Sequence, residues 1–186
     1  EDFIQRNIPE IPASLDPKVK WEYHDTVLQE MRELYAEGHV QVEQNWGFRR
    51  DWSETGFFAE DVWARMKLDV FVREDDRSAR MIDWKTGRKD GNEIKHGSQA
   101  ITYAVGAWKR YPQLEHIRAE FHYLDHKEPP LVKTFNPQRL HMLAPRLEER
   151  ALRLTTAQFF PPKPSRFKCR FCDYKEVCEY SMAKPN

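Results

Sequence analysis

Residues 79–87 read ARMIDWKTG and place an acid and a base two positions apart on a short apolar segment. Side chains of a β-strand alternate between its two faces, so Asp83 and Lys85 share one face while Ile82 and Trp84 share the other. An apolar strand tolerates charges on its solvent-facing side, and a surface salt pair is therefore one interpretation. A catalytic pair is the other, and it requires further residues.

A second acidic residue, Asp69, lies in the preceding strand-like segment ARMKLDVFV. The apolar residues that alternate along this segment are predicted to point inward: Ala64, Met66, Leu68, Val70 and Val72. Asp69 would then share the other face with Lys67 and Phe71. If this strand pairs with residues 79–85, Asp69 approaches Asp83, and two carboxylates that close repel each other unless a cation lies between them.

Carboxylates with an imidazole nearby suit Mg2+ or Mn2+, because these ions prefer oxygen ligands. Lys85 is one pleat further along and could bring its ammonium to an attacking water or to a phosphate oxygen. A polarising metal, carboxylates that hold it and a lysine that offsets developing charge would together cleave a phosphodiester bond. Glu43, in HVQVEQNW, is another acidic candidate that the sequence leaves open, and a solvated sheet face remains the alternative for the whole group.

The element before these strands is a predicted helix. Asp16 and Pro17 resemble an N-cap followed by proline at the first helical position, and Gly38 suits the far end. Apolar residues recur between them at helical spacing: Val27, Leu28, Met31, Leu34 and Tyr35. His24 lies at the head of this stripe and is predicted to face inward, either as a ligand or as a core histidine bonded to a neighbour.

The remaining segments predict an α/β fold with a mixed central sheet flanked by helices. Strands are predicted at residues 39–48, 61–72 and 79–85, with REDDRS as the turn between the last two. HGSQAITYAVGAWKRYP predicts a helix ended by Pro112, IRAEFHYLD and LVKTF predict two strands, and Asn136-Pro137 opens a last helix. One side of that helix carries four leucines: Leu140, Leu143, Leu147 and Leu154. We expect a core over residues 1–160 and a small lobe over 161–186.

These segments resemble the RecB-like branch of the PD-(D/E)xK nucleases. The resemblance is carried by LD at 68–69, IDWKTG at 82–87, QAITY at 99–103 and KWEYHDTVLQEM around His24. In that family an aspartate strand, a D/E-x-K strand and a helix bearing Q-x-x-x-Y form the active site, and an N-terminal helix supplies a histidine. The resemblance covers roughly residues 16–112 and implies a DNA nuclease that uses Mg2+ or Mn2+.

The resemblance also implies a role for each residue of the site. The implied catalytic residues are Asp69, Asp83, Lys85, Gln99 and Tyr103. The implied metal ligands are His24, Asp69, Asp83 and the backbone carbonyl of Trp84. Lys85 would orient or activate water. Gln99 and Tyr103 are four positions apart and share one helix face, where they would position the substrate; ordinary helix packing is the alternative.

The C-terminal segment KCRFCDYKEVC has the spacing C-x2-C-x5-C for Cys169, Cys172 and Cys178. Zinc is the general interpretation of such clusters. The resemblance to AddB-type and CRISPR-adaptation nucleases favours instead a 4Fe-4S cluster, in which a fourth cysteine lies far upstream. We therefore expect the natural protein to extend upstream of Glu1 and to carry a cysteine there.

Basic and aromatic residues alternate around the cysteines. The basic ones are Lys163, Arg166, Lys168, Arg170 and Lys175, and the aromatic ones are Phe167, Phe171 and Tyr174. Cations on phosphates and rings on bases would suit single-stranded nucleic acid. A solvated basic tail is the alternative.

Composition restricts the location and the partners. Lysine plus arginine and aspartate plus glutamate number 30 each, so net charge indicates no partner class, and no apolar run is long enough for a membrane span. Three clustered cysteines favour a reducing cytoplasm, and the resemblance implies a bacterial or phage-infected cell. The resemblance implies an exonuclease acting on single-stranded DNA ends in recombination or repair, with a helicase or recombination protein as a further partner. A catalytically silent DNA-binding module and a zinc-stabilised interaction domain are the alternatives.

Overall fold

The computed structural model describes residues 23–87 and 89–183, and this part of the chain contains six strands and four helices. The strands are β1 (Val40–Phe48), β2 (Glu54–Thr55), β3 (Ala64–Arg73), β4 (Ser78–Lys85), β5 (His116–Tyr123) and β6 (Leu131–Phe135). The helices are α1 (Asp25–Ala36), α2 (Glu93–Arg110), α3 (Pro137–Thr156) and α4 (Arg166–Arg170). The predicted helix start at residues 16–17 lies outside the described residues.

The strands form one mixed sheet in the order β2-β1-β3-β4-β5-β6. All neighbours are antiparallel except β4 and β5, which run parallel in a register that pairs Asp83 with Phe121. Parallel neighbours require a crossover connection, and α2 supplies it. The prediction of a mixed sheet flanked by helices is confirmed.

Each face of the sheet buries its own apolar cluster. The larger cluster packs α2 against the sheet through residues such as Met66, Leu68 and Ala104, and the smaller one packs α1 against it through Met31 and Val70. Burial on both faces explains why several strands read as continuous apolar runs rather than as a simple alternation.

The regular alternation of side chains along β3 is interrupted in the middle of the strand. Met66 and Leu68 belong to the α2 side, whereas Val70 and Val72 belong to the α1 side, so the prediction that these residues all share one face is wrong. Phe71, predicted on the face of Asp69, is completely buried in the α2-side cluster. A backbone irregularity lies opposite Asp69, where Glu43 of β1 has a φ of 49°.

Element boundaries differ from the predictions by a few residues. The helix α2 begins at Glu93, about a turn before the predicted start, and β3 begins at Ala64 rather than at Asp61. Tyr35 is exposed and does not belong to the buried stripe of α1, whereas Leu34 beside it in the same turn packs against the smaller cluster. Two short elements, β2 and α4, were not anticipated because a few residues carry no periodicity.

The chain divides into two compact units between Leu147 and Glu148. The first unit contains the sheet with α1 and α2, and the second contains α4, whose N-cap Ser165 accepts a hydrogen bond from the Lys168 amide at 3.2 Å. The domain boundary at residues 160 and 161 stays a prediction. None of the described helices is long and apolar enough to cross a membrane.

Candidate active site

The candidate site lies where β3 and β4 separate. Their ladder pairs Val70 with Ile82, and continuing the same register would pair Asp69 with Asp83. Instead, the side chain of Asp69 accepts a hydrogen bond from the backbone amide of Trp84 at 2.9 Å. The carboxylate thus replaces a ladder carbonyl, which satisfies the Trp84 amide and holds two acidic residues next to each other.

Asp83 is the centre of a buried hydrogen-bond network. Its carboxylate is only 4% exposed. The amide of Gln99 donates to Oδ1 at 3.0 Å, and the Tyr103 hydroxyl lies 3.0 Å from the same oxygen. Oδ2 lies 2.5 Å from the ammonium of Lys85, its only polar partner among the described residues. The shared strand face predicted for Asp83 and Lys85 is therefore present.

The hydroxyl of Tyr103 has one proton and lies within hydrogen-bond distance of two acceptors. It lies 2.9 Å from the Lys67 carbonyl and 3.0 Å from Asp83, while the Gln99 amide donates to it at 2.6 Å. Burial and the charge of Asp83 raise the pKa of Tyr103 far above its ordinary value, so the group keeps its single proton. Tyr103 and Gln99 are therefore neutral donors, and neither cancels the charge of Asp83.

Asp69 is held in an environment that disfavours its charge. Burial raises the pKa of Asp69, the Trp84 amide opposes this shift, and the charges of Asp83 and Glu43 raise the pKa further. Glu43 itself forms an ion pair with Lys67 at 3.2 Å. These neighbouring carboxylates need a positive charge in addition to Lys85, and a cation would supply it.

A hard divalent cation fits the oxygen ligands of this site. Asp69 and Asp83 supply carboxylates, and the backbone carbonyl of Trp84 follows Asp83 directly. Among residues 23–87 and 89–183, however, no three His, Cys, Asp or Glu side chains are placed as a ready-made metal-binding group. The two aspartates are thus brought together, whereas a complete set of side-chain ligands is not.

His24 lies on the α1 side of the sheet. It precedes α1, is 3% exposed, and packs edge-on against the rings of Trp84 and His122 with centroid distances of 6.1 Å in each case. Neither ring nitrogen has a hydrogen-bond partner of normal geometry in the described residues. Burial lowers the pKa of His24 and His122 lowers it further, while the Tyr123 and Leu124 carbonyls oppose this shift. The inward orientation is confirmed, and the role of His24 as a ligand stays a prediction.

A histidine that the sequence interpretation missed lies beside Lys85. The ring of His96 stacks on Phe121 at 5.3 Å and its Nδ1 lies 2.5 Å from the Tyr123 hydroxyl. Lys85 places its ammonium 5.6 Å from the centre of the same Phe121 ring. Burial lowers the pKa of His96, and the charge of Lys85 lowers it further, so a neutral imidazole is favoured. The spacing of His96 and Gln99, three positions apart on one helix face, is the signal that could have indicated it.

The α1 side of the sheet carries a second buried charged network that the sequence interpretation also missed. Arg80 is 5% exposed and lies at its centre, with Glu30 bonding two of its nitrogens and Glu74 within 3.2 Å of Nε. The carboxylate of Glu120 lies 2.9 Å from Nε2 of His122 and 2.7 Å from Nε of Arg118. The sequence signal for this network is RAEFH along β5, in which Arg118, Glu120 and His122 occupy alternate positions.

The cysteine prediction is not supported by the structure. Cys169, Cys172 and Cys178 are free, and the described residues contain no group of three cysteine or other ligand side chains placed to hold a metal. Cys169 lies in α4, while Cys172 and Cys178 follow in successive turns, each with its own backbone hydrogen bond. Spacing places the first two thiols near each other along the chain but does not determine where the third one points. We derive no iron–sulfur or zinc chemistry from them.

The basic and aromatic residues of the second unit lie at its surface. Lys163, Arg166, Lys168 and Arg170 are exposed, and Lys175 is half-buried. The three aromatic rings are exposed as well, with Phe167 and Phe171 edge to face at 5.6 Å and Arg170 over the Phe171 ring at 5.6 Å. Cations and rings are thus both accessible, as nucleic-acid binding would require.

The sequence matches the profile of the PD-(D/E)XK nuclease superfamily over residues 3–179. The chain therefore belongs to this superfamily of nucleases. Among solved structures it is similar to a "Putative exonuclease" from Eubacterium rectale, with 13% identity, a TM-score of 0.44, and coverage of 100% of this chain and 70% of that one. It is also similar to the protein SSO0001, with 18% identity, a TM-score of 0.40, and coverage of 84% and 69%. No curated protein matches the chain.

Proposed function

We propose that this protein is a divalent-metal-dependent deoxyribonuclease of the RecB-like branch, which removes nucleotides from single-stranded DNA ends. The observation that carries this proposal is the buried carboxylate of Asp83, which is held by two neutral donors and one lysine next to a second carboxylate, Asp69. A buried carboxylate in a purely structural role would be expected to have its charge fully compensated. Membership of the nuclease superfamily supports the same conclusion.

The residues assigned to the metal are Asp69, Asp83, the carbonyl of Trp84, and His24. Mg2+ or Mn2+ bound there would polarise the phosphate and promote ionisation of the attacking water. His24 adjoins Trp84 from the α1 side, and neither of its ring nitrogens has a partner of normal geometry among the described residues, which supports its inclusion because a buried imidazole needs an acceptor, a donor or a ligand. His24→Ala should then move the Mn2+ dependence of cleavage to higher concentrations, whereas a structural histidine would change only the thermal stability.

The chain's own residues position the reacting groups. Lys85 is 24% exposed at its side chain, so its ammonium can reach a phosphate oxygen or a water while remaining paired with Asp83. Gln99 and Tyr103 fix the orientation of Asp83 through Oδ1, leaving Oδ2 directed to Lys85. Fixed donors and charges of this kind stabilise developing negative charge without having to reorganise during the reaction.

Single-stranded DNA is the proposed substrate because the second unit presents accessible cations together with accessible rings. Phosphates would pair with Lys163, Arg166 and Lys168, and bases would stack on Phe167 and Phe171. A role in recombination or repair alongside a helicase belongs to the same proposal through the RecB-like resemblance.

The direct experiment compares cleavage of single-stranded and double-stranded DNA in Mg2+, in Mn2+ and in a chelator. We expect shortening of single-stranded DNA from an end only with metal present, and no cleavage by Asp83→Asn. Metal-independent cleavage, or full activity of Asp83→Asn, would contradict the proposal. Cleavage confined to internal positions of circular single-stranded DNA would contradict the exonuclease part alone.

A further inference from the structure

Two large apolar side chains are exposed at the end of the sheet that carries the candidate site. In the described part of the first unit, Phe58 is 84% exposed and Ile94 is 89% exposed, the highest values for large apolar residues. Phe58 lies in the segment that enters β3, and Ile94 lies in the first turn of α2, shortly after β4 ends at Lys85. Because β3 and β4 are antiparallel, both segments leave the sheet at the same end.

The exposure of Phe58 is fixed by a rigid loop. Asp61 accepts hydrogen bonds from Arg49 at 2.5 Å and from Thr55 at 2.7 Å, and Arg49 also bonds the Glu54 carbonyl. Gly47 lets β2 approach so closely that a Cβ atom there would lie 2.7 Å from the Gly56 carbonyl oxygen. These contacts hold the loop in the conformation that leaves the Phe58 ring exposed.

The loop is joined to the site through β3. Arg65 donates to the Phe57 carbonyl at 2.7 Å, and its guanidinium lies 5.9 Å from the Phe57 ring centre. Two residues further, about 7 Å along the strand, the Lys67 carbonyl receives the Tyr103 hydroxyl that also contacts Asp83. Arg65 and Lys67 are both exposed, and Lys67 pairs with Glu43 at 3.2 Å, so two cationic side chains lie along β3 between the Phe58 segment and Asp69 in the order of the chain.

Ile94 lies on the other side of the site in the strand order. Its helical neighbour His96 packs on Phe121 of β5, whereas Arg65 belongs to β3, and β4 with Asp83 runs between these two strands. Along the chain, an exposed aromatic ring and two exposed cations therefore precede Asp69, and an exposed aliphatic side chain follows Asp83 and Lys85. This arrangement suits an unpaired strand, whose phosphates meet charges and whose bases meet apolar surfaces.

We propose that Phe58 stacks on a base on one side of the phosphate that is cleaved, and that Ile94 contacts a base on the other side. Phe58 and Ile94 thus form a base-binding pair in the first unit that selects single-stranded DNA. The inference rests on the proposed function for the position of the phosphate. It does not depend on the basic surface of the second unit.

The test measures binding of a labelled oligothymidylate to the whole protein in a chelator, so that no strand is cut. Phe58→Ala should weaken binding by roughly tenfold, since a stacked base contributes about 1–3 kcal/mol. Ile94→Ala should weaken it by about threefold, because less apolar surface is lost. Phe58→Trp should restore binding, and Tyr35→Ala, another exposed aromatic residue at the last turn of α1, should bind like the parent.

Two further measurements separate base contact from other effects. With a strand of abasic sites, parent and Phe58→Ala should bind equally, and the salt dependence of oligothymidylate binding should be the same for both because no phosphate contact is removed. Equal binding of oligothymidylate by parent and Phe58→Ala would overturn the inference while leaving metal-dependent cleavage intact. If the parent protein never cleaves DNA but Phe58→Ala still binds oligothymidylate more weakly than the parent, the proposed function is refuted and the base contact is retained.

Discussion

The two faces of the sheet both bury charged side chains, but they compensate them differently. On the α1 face, Arg80 meets Glu30 and Glu74, and the Glu120 charge is near. Burial lowers the pKa of Arg80, but these carboxylates more than offset the shift and raise it. On the α2 face, Asp83 meets two neutral donors and the single cation of Lys85, and a second carboxylate, Asp69, lies beside it.

This difference distinguishes the structural charge network around Arg80 from the candidate active site around Asp83. A buried charge surrounded by opposite charges is stable as it stands, and its purpose is to hold α1 on the sheet. A carboxylate pair that is short of positive charge is stable only with something further bound, and its environment is therefore evidence of function. Burial alone would not have distinguished the two, since Arg80 and Asp83 are 5% and 4% exposed.

The largest effect is expected from Lys85→Ala, which removes the cation that pairs with Asp83. Cleavage should fall by about 10²–10³-fold, as for other fixed groups that stabilise transition-state charge, while binding of single-stranded DNA remains close to that of the parent. Single-turnover rates and anisotropy titrations measure the two quantities. Lys89→Ala is the matched control, because Lys89 pairs with Glu128 at 2.9 Å outside the site; equal losses in both variants would refute the role of Lys85.

Arg80→Met tests the α1 face, where we expect a loss of stability with little change in activity. Removing the guanidinium leaves the 9%-exposed side chain of Glu120 without one of its cations, and stability should fall by about 2–4 kcal/mol. Activity of the molecules that remain folded should be close to that of the parent. Urea denaturation provides the first value and cleavage at low temperature the second. Arg77→Met, which breaks the exposed pair with Glu115, should cost less than about 1 kcal/mol.

Tyr103→Phe tests how much one of the two neutral donors on the α2 face contributes to the positioning of Asp83. It removes one neutral donor from Asp83 and leaves the Lys67 carbonyl without its side-chain partner, while Gln99 still bonds Oδ1. We expect cleavage to fall by about tenfold, equivalent to one hydrogen bond of roughly 1.4 kcal/mol. Tyr111→Phe, at the C-terminal end of the same helix, should cleave at the parent rate. An unchanged rate in Tyr103→Phe would show that Asp83 needs no such positioning.

The smallest effect, and one of opposite sign, is expected from Asp69→Asn in a chelator. The pKa of Asp69 is raised in the folded protein by burial and by Asp83, so ionisation of the group destabilises the fold from the ordinary carboxyl pKa upward, with its full effect above the raised pKa. The amide variant keeps an acceptor for Trp84 and should be more stable at neutral pH, with the difference shrinking as pH falls below the raised pKa and disappearing below the ordinary carboxyl pKa. Thermal unfolding at several pH values measures this change.

Adding Mn2+ should reverse the order of the two proteins. The parent gains stability from a bound cation, whereas Asp69→Asn has lost a ligand and gains less. A variant that is less stable than the parent in the chelator would show that Asp69 is compensated in the same way as Arg80, and the contrast between the two faces would fail.

Sequence patterns predicted the parts of the fold that depend on local chemistry. The alternation around Asp83 and Lys85 placed both on one face, LVKTF matched β6 at both ends, and the four-residue spacing of Gln99 and Tyr103 placed both on one helix face, where the structure shows them bonded to Asp83. These predictions succeed because strand and helix periods are fixed by backbone geometry. The exchange of faces at Asp69 was missed, because it depends on a backbone irregularity in the neighbouring strand.

The sequence by itself determined which residues are candidates for the chemistry and in which elements they lie, because side-chain periodicity and family motifs are properties of neighbouring residues. Only the tertiary structure decided which of them meet. It joined Asp69 to the Trp84 amide, placed His96 beside Phe121 and His24 beside His122, and left the three cysteines without a common site. Such contacts join residues far apart in sequence, and strand register and helix packing, which no local pattern specifies, set their distances.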